Sequence, residues 1–236
     1  MKNITKTISI ALLSVTSILS FAQTSDEIIA KHIEAIGGKA NWEKIKSFKT
    51  ESLIKSQGSE IKVVSIQKDK TAMRQDIFVM GMTGYSIVTN SEGWNFMPWA
   101  GQTKPEPMTA DDIKNSQDDL YLQDEFMTYK ELGKKLDFVG KDDVDGTECF
   151  KFKMTDKNNQ ETTFYIDPSN YFVIKQTQKI KADGKEIEST TTYGDFKQLE
   201  GGITCPMSVT SNYGIISIIK LEINPIIDDS VFKLTN

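Results

Sequence analysis

The sequence predicts a mainly β protein with some α: a strongly curved antiparallel sheet of about eleven strands, with helices as a lid. Three observations predict it. From Ser47 onward, short alternating apolar runs are separated by turn residues almost to the C-terminus. Helical periodicity occurs in only two places, near the start and in the middle. There is no alternation of strand and helix and no Gly-rich phosphate loop, which removes the parallel α/β folds. So many meandering strands must curl or close to protect their edges.

The elements follow in order. Lys2 and Lys6, an apolar stretch from Ile8 to Phe21, and small residues at Ser20 and Ala22 read as a cleavable signal peptide over 1–22. The stretch is about 14 residues, short of the roughly 20 of a spanning helix. No Cys follows it, so a lipid anchor is not expected. The mature chain, 23–236, is expected to be a single exported domain without a membrane-spanning segment, in the periplasm or secreted. Thr24-Ser25-Asp26-Glu27 then opens a helix as a capping box. Ile29, Ile33 and Ile36 repeat at helical spacing, and Gly37-Gly38 stop it. Trp42 and Ile45 lead into the first strand.

Strand-like runs follow at 48–56, 60–68, 71–80, 85–89 and 94–99. After a Pro-containing loop, Thr109-Ala110-Asp111-Asp112 opens a second helix or helix pair, expected to run to about Leu132 before Gly133. Its apolar residues, Leu120 and Phe126 among them, would cover the sheet. Seven further runs lie at 136–139, 147–154, 161–166, 171–182, 185–197, 203–213 and 215–223. Turn signals such as Asp145-Gly146, Asp167-Pro168-Ser169-Asn170 and Gly201-Gly202 separate them.

Composition narrows the function. The whole chain carries a net charge of −5, and loss of the leader with its two lysines makes it more negative by two. No basic footprint exists for nucleic acid or an anionic membrane surface. Cys149 and Cys205 are the two cysteines. They are either a disulfide, closing a loop of roughly 57 residues, or two buried thiols acting as small hydrophobes.

Catalytic chemistry is hard to assemble. His32 is the one histidine and reads as a helix-surface residue, a poor basis for a triad or a metal site. The acidic pairs Asp111-Asp112, Asp118-Asp119, Asp142-Asp143 and Asp228-Asp229 read as helix faces and turns. Ser91 lacks a nucleophile-elbow context. Neither a catalytic residue, a metal nor a cofactor is expected.

The richest apolar stretch runs from Met73 to Trp99. Met73, Ile77, Phe78, Val79, Met80, Tyr85, Trp94, Phe96 and Trp99 are the candidate lining of an apolar cavity, with Leu120 and Phe126 as its cover. Methionine suits such a wall because its unbranched thioether adapts to varied guests. The alternative is a packed sheet whose two apolar faces are simply covered. Arg74, on the same strand face as Asp76 and Phe78, is either a head-group or lid contact or an ordinary partner of Asp76.

Several of these residues also carry a resemblance. They are the helix ending in Ile36-Gly37-Gly38 with Trp42 and Ile45, and the run Val88-Thr89-Asn90-Ser91-Glu92-Gly93-Trp94-Asn95-Phe96-Met97-Pro98. Further along come Asp145-Gly146, Tyr165-Ile166-Asp167, and Tyr193-Gly194-Asp195-Phe196 leading to Gly201-Gly202-Ile203 and Pro206. The last are Asn224-Pro225, Ile227-Asp228-Asp229 and Phe232. In this order they resemble the LolA periplasmic lipoprotein carriers, often labelled outer membrane lipoprotein-sorting proteins, in their Bacteroidetes-type branch. The resemblance implies an unclosed β-barrel with a helical lid, and an apolar cavity that shields lipoprotein acyl chains or lipid in transit. An outer-membrane acceptor would take the cargo from a monomeric carrier. It also implies a cavity arginine holding the lid, for which Arg74 is the candidate. Two other functions stay open: an envelope binding or assembly module for a protein or glycan, and an enzyme acting on an apolar substrate.

Overall fold

The computed structural model describes residues 25–56, 58–182, 185–212 and 214–234, so the expected signal peptide lies outside the described residues. Helix α1 covers 25–35 and α2 is one turn, Lys39–Trp42. Then come β1 (Ser47–Ser56), β2 (Ser59–Lys68), β3 (Ala72–Val79), β4 (Met82–Thr89), β5 (Gly93–Phe96) and β6 (Glu106–Pro107). The middle segment holds α3 (Ala110–Asn115) and α4 (Glu125–Thr128). The second half is β7 (Lys135–Val144), β8 (Thr147–Thr155), β9 (Glu161–Ile166), β10 (Val173–Ala182), β11 (Lys185–Gln198), β12 (Thr204–Ser211) and β13 (Gly214–Ile223).

All 13 strands form one sheet, in the order β6-β5-β4-β3-β2-β1-β13-β12-β11-β10-β9-β8-β7. Every pairing is antiparallel, and β1 meets β13 at the middle. The two outer strands, β6 and β7, do not pair with each other, so the sheet is open. Each is blunted as an edge: β6 is two residues ending in Pro107, and β7 carries a bulge between Phe138 and Gly140. The strand count exceeds the expected eleven chiefly because β6 is too short for periodicity to reveal.

The chain from β6 to β7 crosses one face of the sheet, here called the inner face. The second helical region is not one long helix. It is broken into α3, a 3₁₀ turn at Asp118–Leu120, and α4. The capping box at its start is present: Thr109 Oγ1 accepts from the Asp112 amide at 3.1 Å. The break follows at Tyr121, which runs extended, and the next amide, Leu122, donates to Asp69 Oδ1 at 3.2 Å.

Helix α1 lies on the inner face and buries Ile28, His32 and Ile36, one face at four-residue spacing. Ile28 joins Phe126, Phe152, Met154, Phe164 and Ile166 in one core. Ile36 joins Trp42, Ile45, Leu122, Ile203 and Cys205 in a second. The helix ends at Gly37, with φ of +108°. A Cβ there would stand 2.2 Å from the Gly202 carbonyl oxygen, so only glycine allows this approach. On the outer face, the C-terminal 3₁₀ turn (Asp229–Phe232) sets Phe232 against Ala72 and Ile87. Among the described residues no helix is long and apolar enough to cross a membrane.

The cysteines do not pair. Both are free and buried. Cys149 lies in β8 and Cys205 in β12, with three strands between them. At roughly 4.8 Å per strand, that spacing is far beyond the ~7 Å limit between the Cα atoms of a disulfide.

Candidate ligand-binding site

A cavity of about 240 Å³ lies between the helices and the inner face. Helix α1 supplies His32 and Ile36 to its wall, and the start of α4 supplies Asp124, Glu125 and Phe126. Its floor comes from β9 to β12, through Phe164, Val173, Tyr193, Phe196 and Cys205. It exceeds the ~150 Å³ apolar cavity that suffices to hold benzene. Trp42 closes one side, fixed by its indole N–H donating to the Ile36 carbonyl at 2.9 Å.

The polar groups at this wall are held by one another. Asp124 caps α4, its Oδ1 accepting from the Phe126 amide at 2.8 Å. The same oxygen lies 3.3 Å from His32 Nε2. His32 Nδ1 lies 2.7 Å from the Tyr171 carbonyl oxygen. Burial pulls the imidazole pKa down, but the Asp124 charge and hydrogen bond and the Tyr171 contact outweigh it, so it sits above the ordinary value. Burial pushes the Glu125 carboxyl up, against Lys134 Nζ at 3.2 Å. Burial, and then the two neighbouring carboxylates, push the Tyr193 hydroxyl up as well. The Cys205 thiol is pushed up to about 12 by burial and then by Asp124. A protonated thiol is a poor nucleophile, and His32 has both ring nitrogens occupied.

Beyond the cavity two rows of the inner face are mostly apolar, beside a polar row of Thr50, Ser65, Gln75 and Ser86. The pairing registers place Tyr193, Val209, Ile216, Ile54 and Ile61 side by side across five strands. A second row joins Ile218, Ser52, Val63, Ile77 and Gly84. The apolar side chains of both rows are half-buried, and none belongs to the buried clusters. Tyr193 lines the cavity and starts the first row, so cavity and open rows are continuous.

The expected cavity residues divide between the two faces. Phe48, packed near Trp42, marks the inner face, and the registers carry that side through Gln67 to Met73 and Val88. Met73, Ile77 and Val79 are therefore inner. Phe78, Tyr85, Trp94 and Phe96 project to the outer face, so the set cannot line one cavity. Met80 sits at the tip of the β3–β4 hairpin, 89% exposed. Trp99 covers the inner face at Gly84, where a Cβ would stand 2.6 Å from the ring. Leu120 is buried away from the cavity wall, and Phe126 lines the cavity.

Arg74 is also outer. Its Nε and Nη2 donate to Asp76 Oδ1 at 2.9 and 2.8 Å, and its Nη1 to the Val231 carbonyl at 3.0 Å. It pins the C-terminal turn and holds no lid. His32, expected on the helix surface, is instead 1% exposed. Sequence reasoning missed His32, Tyr193, Val209 and Ile216. The alternation of β13 was the available signal for Ile216. The four-residue spacing of Ile28, His32 and Ile36 was the signal for burial of His32, but nothing local marked its partner Asp124, 92 positions away.

No protein-family model matches the sequence, and no curated protein matches it. Solved structures do. A DUF1329 family protein from Desulfovibrio piger is similar at TM-score 0.58 and 11% identity, over 88% of this chain and 96% of that one. A LolA superfamily protein from Nitrosomonas europaea is similar at TM-score 0.58 and 11% identity, over 87% and 96%. A Vibrio parahaemolyticus domain named for outer membrane lipoprotein sorting is similar at TM-score 0.52 and 13% identity, over 87% and 94%. With its open, curved antiparallel sheet and helices across the inner face, this chain has the LolA-like fold.

Proposed function

We propose that this protein is a periplasmic carrier that binds lipoprotein acyl chains or lipid on the inner face, without catalysis. One observation supports it above the rest: the largely apolar cavity is continuous with two rows of mostly apolar, half-buried side chains that belong to none of the buried clusters. An acyl chain gains about 0.8 kcal/mol per methylene on leaving water, so a surface of this kind is matched to a long apolar guest. Transfer to a better acceptor would then need no chemistry. The leader expected over 1–22 supports export, and the Vibrio parahaemolyticus domain named for outer membrane lipoprotein sorting shares the fold. A second use of the same face is docking an envelope protein. Its support is that the rows are open rather than enclosed.

Native mass spectrometry of the mature protein from a periplasmic fraction, followed by lipid extraction, tests the proposal. Bound lipid or acylated peptide is the expected result. A clean apo mass with no uptake of added lipid or acylated peptide would overturn the carrier and favour the docking module.

A further inference from the structure

His32 faces two acceptors and no donor. The Tyr171 carbonyl can only accept, and so can an ionised Asp124 carboxylate. Asp124 Oδ1 already accepts the Phe126 amide, so this oxygen faces His32 as an acceptor. Two acceptors at 2.7 and 3.3 Å are satisfied together only when both ring nitrogens carry hydrogen. The imidazole also joins three segments distant in sequence: α1, the residue before α4, and the turn between β9 and β10. Its ring stands edge-on to Phe126 at 4.9 Å, so it packs beneath α4 as well as bonding to it.

We propose that His32 is a charged latch: protonated on both nitrogens it ties α1 to α4 and to the β9–β10 turn, and loss of one proton frees α4 and opens the cavity. The short bond to the Tyr171 carbonyl keeps the Nδ1 proton, so the proton that leaves is on Nε2. A bare nitrogen lone pair then faces the Asp124 carboxylate, and attraction becomes repulsion. Two other grips on α4 remain: Phe126, packed against Phe152 and Phe164, and the Lys134 bridge to Glu125 and Asp118.

The sign follows from the direction of the shift. The imidazole pKa is raised above its ordinary 6.5. The latch is therefore fully engaged below about 6.5, and its contribution is lost as pH rises through the folded midpoint. Other titratable groups facing this wall are Asp124 and Glu125 from α4, Tyr193 from β11 and Cys205 from β12. Tyr193 and Cys205 stay neutral through this range, since burial pushes both upward. Lys31 of α1 lies over the Tyr171 ring, 5.2 Å from its centre.

The sequence holds one histidine, so its imidazole resonances in untagged mature protein report this site alone. The experiment follows them by NMR from pH 5 to 9, together with amide exchange at 126–129 and at core amides of β8 as reference. The expected result is an imidazolium at pH 6.5 with a midpoint above it, and α4 exchange that steps up at the same midpoint. The step should approach about tenfold for each unit by which the midpoint exceeds the unfolded value. Asp124→Asn keeps a capping side chain and should lower the midpoint, whereas Glu125→Gln should leave the step in place. A midpoint at or below 6.5, or α4 exchange without a step at the midpoint, would overturn the proposal. Neither readout depends on bound lipid, so its failure is separable from failure of the carrier reading.

Discussion

Ile54 of β1 and Ile216 of β13 stand directly opposite each other, at the seam where the first and last strands of the sheet meet. Both are half-buried and both face inward, next to Ile61 on one side and Val209 on the other. The neighbouring residue, Leu53, pairs with Lys62 and Ser217 and so faces outward. Ile54→Asp therefore places a charge in the apolar row, and Leu53→Asp places one on the other side of the same strand. Each should cost about 1–3 kcal/mol of stability, in the ordinary range for a partly buried strand position. Only Ile54→Asp should weaken binding of a fluorescent acyl probe, by about tenfold or more, because an unpaired carboxylate must stay hydrated. Equal losses in the two variants would show that the inner face is not where the probe binds.

Met80 is held where methionine has little reason to be. Val79 pairs with Met82, leaving Met80 and Gly81 as a two-residue loop with φ of +50° and +79°. Such loops need positive φ at both positions and favour Asn-Gly. Methionine there carries left-handed strain of about 1–2 kcal/mol. Met80→Asn should raise stability by about 0.5–1 kcal/mol, read as an upward shift in the chemical denaturation midpoint at unchanged slope. Acyl-probe affinity should not change, since the side chain is exposed at the hairpin tip and belongs to neither apolar row.

Arg74 makes its contacts on the outer face, and its removal should act on stability alone. It donates to Asp76 and to the Val231 carbonyl, and its guanidinium stands 5.0 Å from the Tyr85 ring centre. Arg74→Ala leaves Asp76 and the C-terminal turn without that donor, at a cost of about 1–3 kcal/mol. Arg74→Lys keeps the charge but loses the planar fork and should fall between. Denaturation curves of the three proteins check the order. A drop in acyl-probe affinity in Arg74→Lys with stability preserved would return this residue to the cavity.

The strand pattern was legible because each strand is bounded by residues with a turn mechanism, such as Asp145-Gly146 and Gly201-Gly202. Which way each side chain points was not. Ile77 to Met80 are apolar in succession, so alternation gave no hint that Ile77 faces inward and Phe78 outward. Bulges compound this. Those at Glu51/Ser52, Phe138/Gly140 and Val173/Lys175 each shift the pairing register partway along a strand. The site failed to show for a different reason. His32 stands between Ile28 and Ile36 on the buried stripe of α1, but its partners Asp124 and the Tyr171 carbonyl, which satisfy it there, are distant in sequence.

The two cysteines provide a check that separates the folded arrangement from the oxidation chemistry of an exported protein. Three intervening strands keep Cys149 and Cys205 apart, and each is buried, Cys149 beside Val144 and Tyr165 and Cys205 against Trp42 and Leu122. Burial pushes both thiols up, Cys205 to about 12, so neither holds much thiolate at neutral pH. Native protein from an oxidising compartment should retain both thiols and react negligibly with a thiol reagent at pH 8. In denaturant both should react at once. Cys205→Ser would place a hydroxyl where a thiol packs among apolar groups, costing about 1–3 kcal/mol unless it finds a partner. Loss of both titratable thiols from the native protein, with a mass two hydrogens lighter, would mean that the strands separating them can rearrange, and the sheet order given above would then be wrong at β8 to β12.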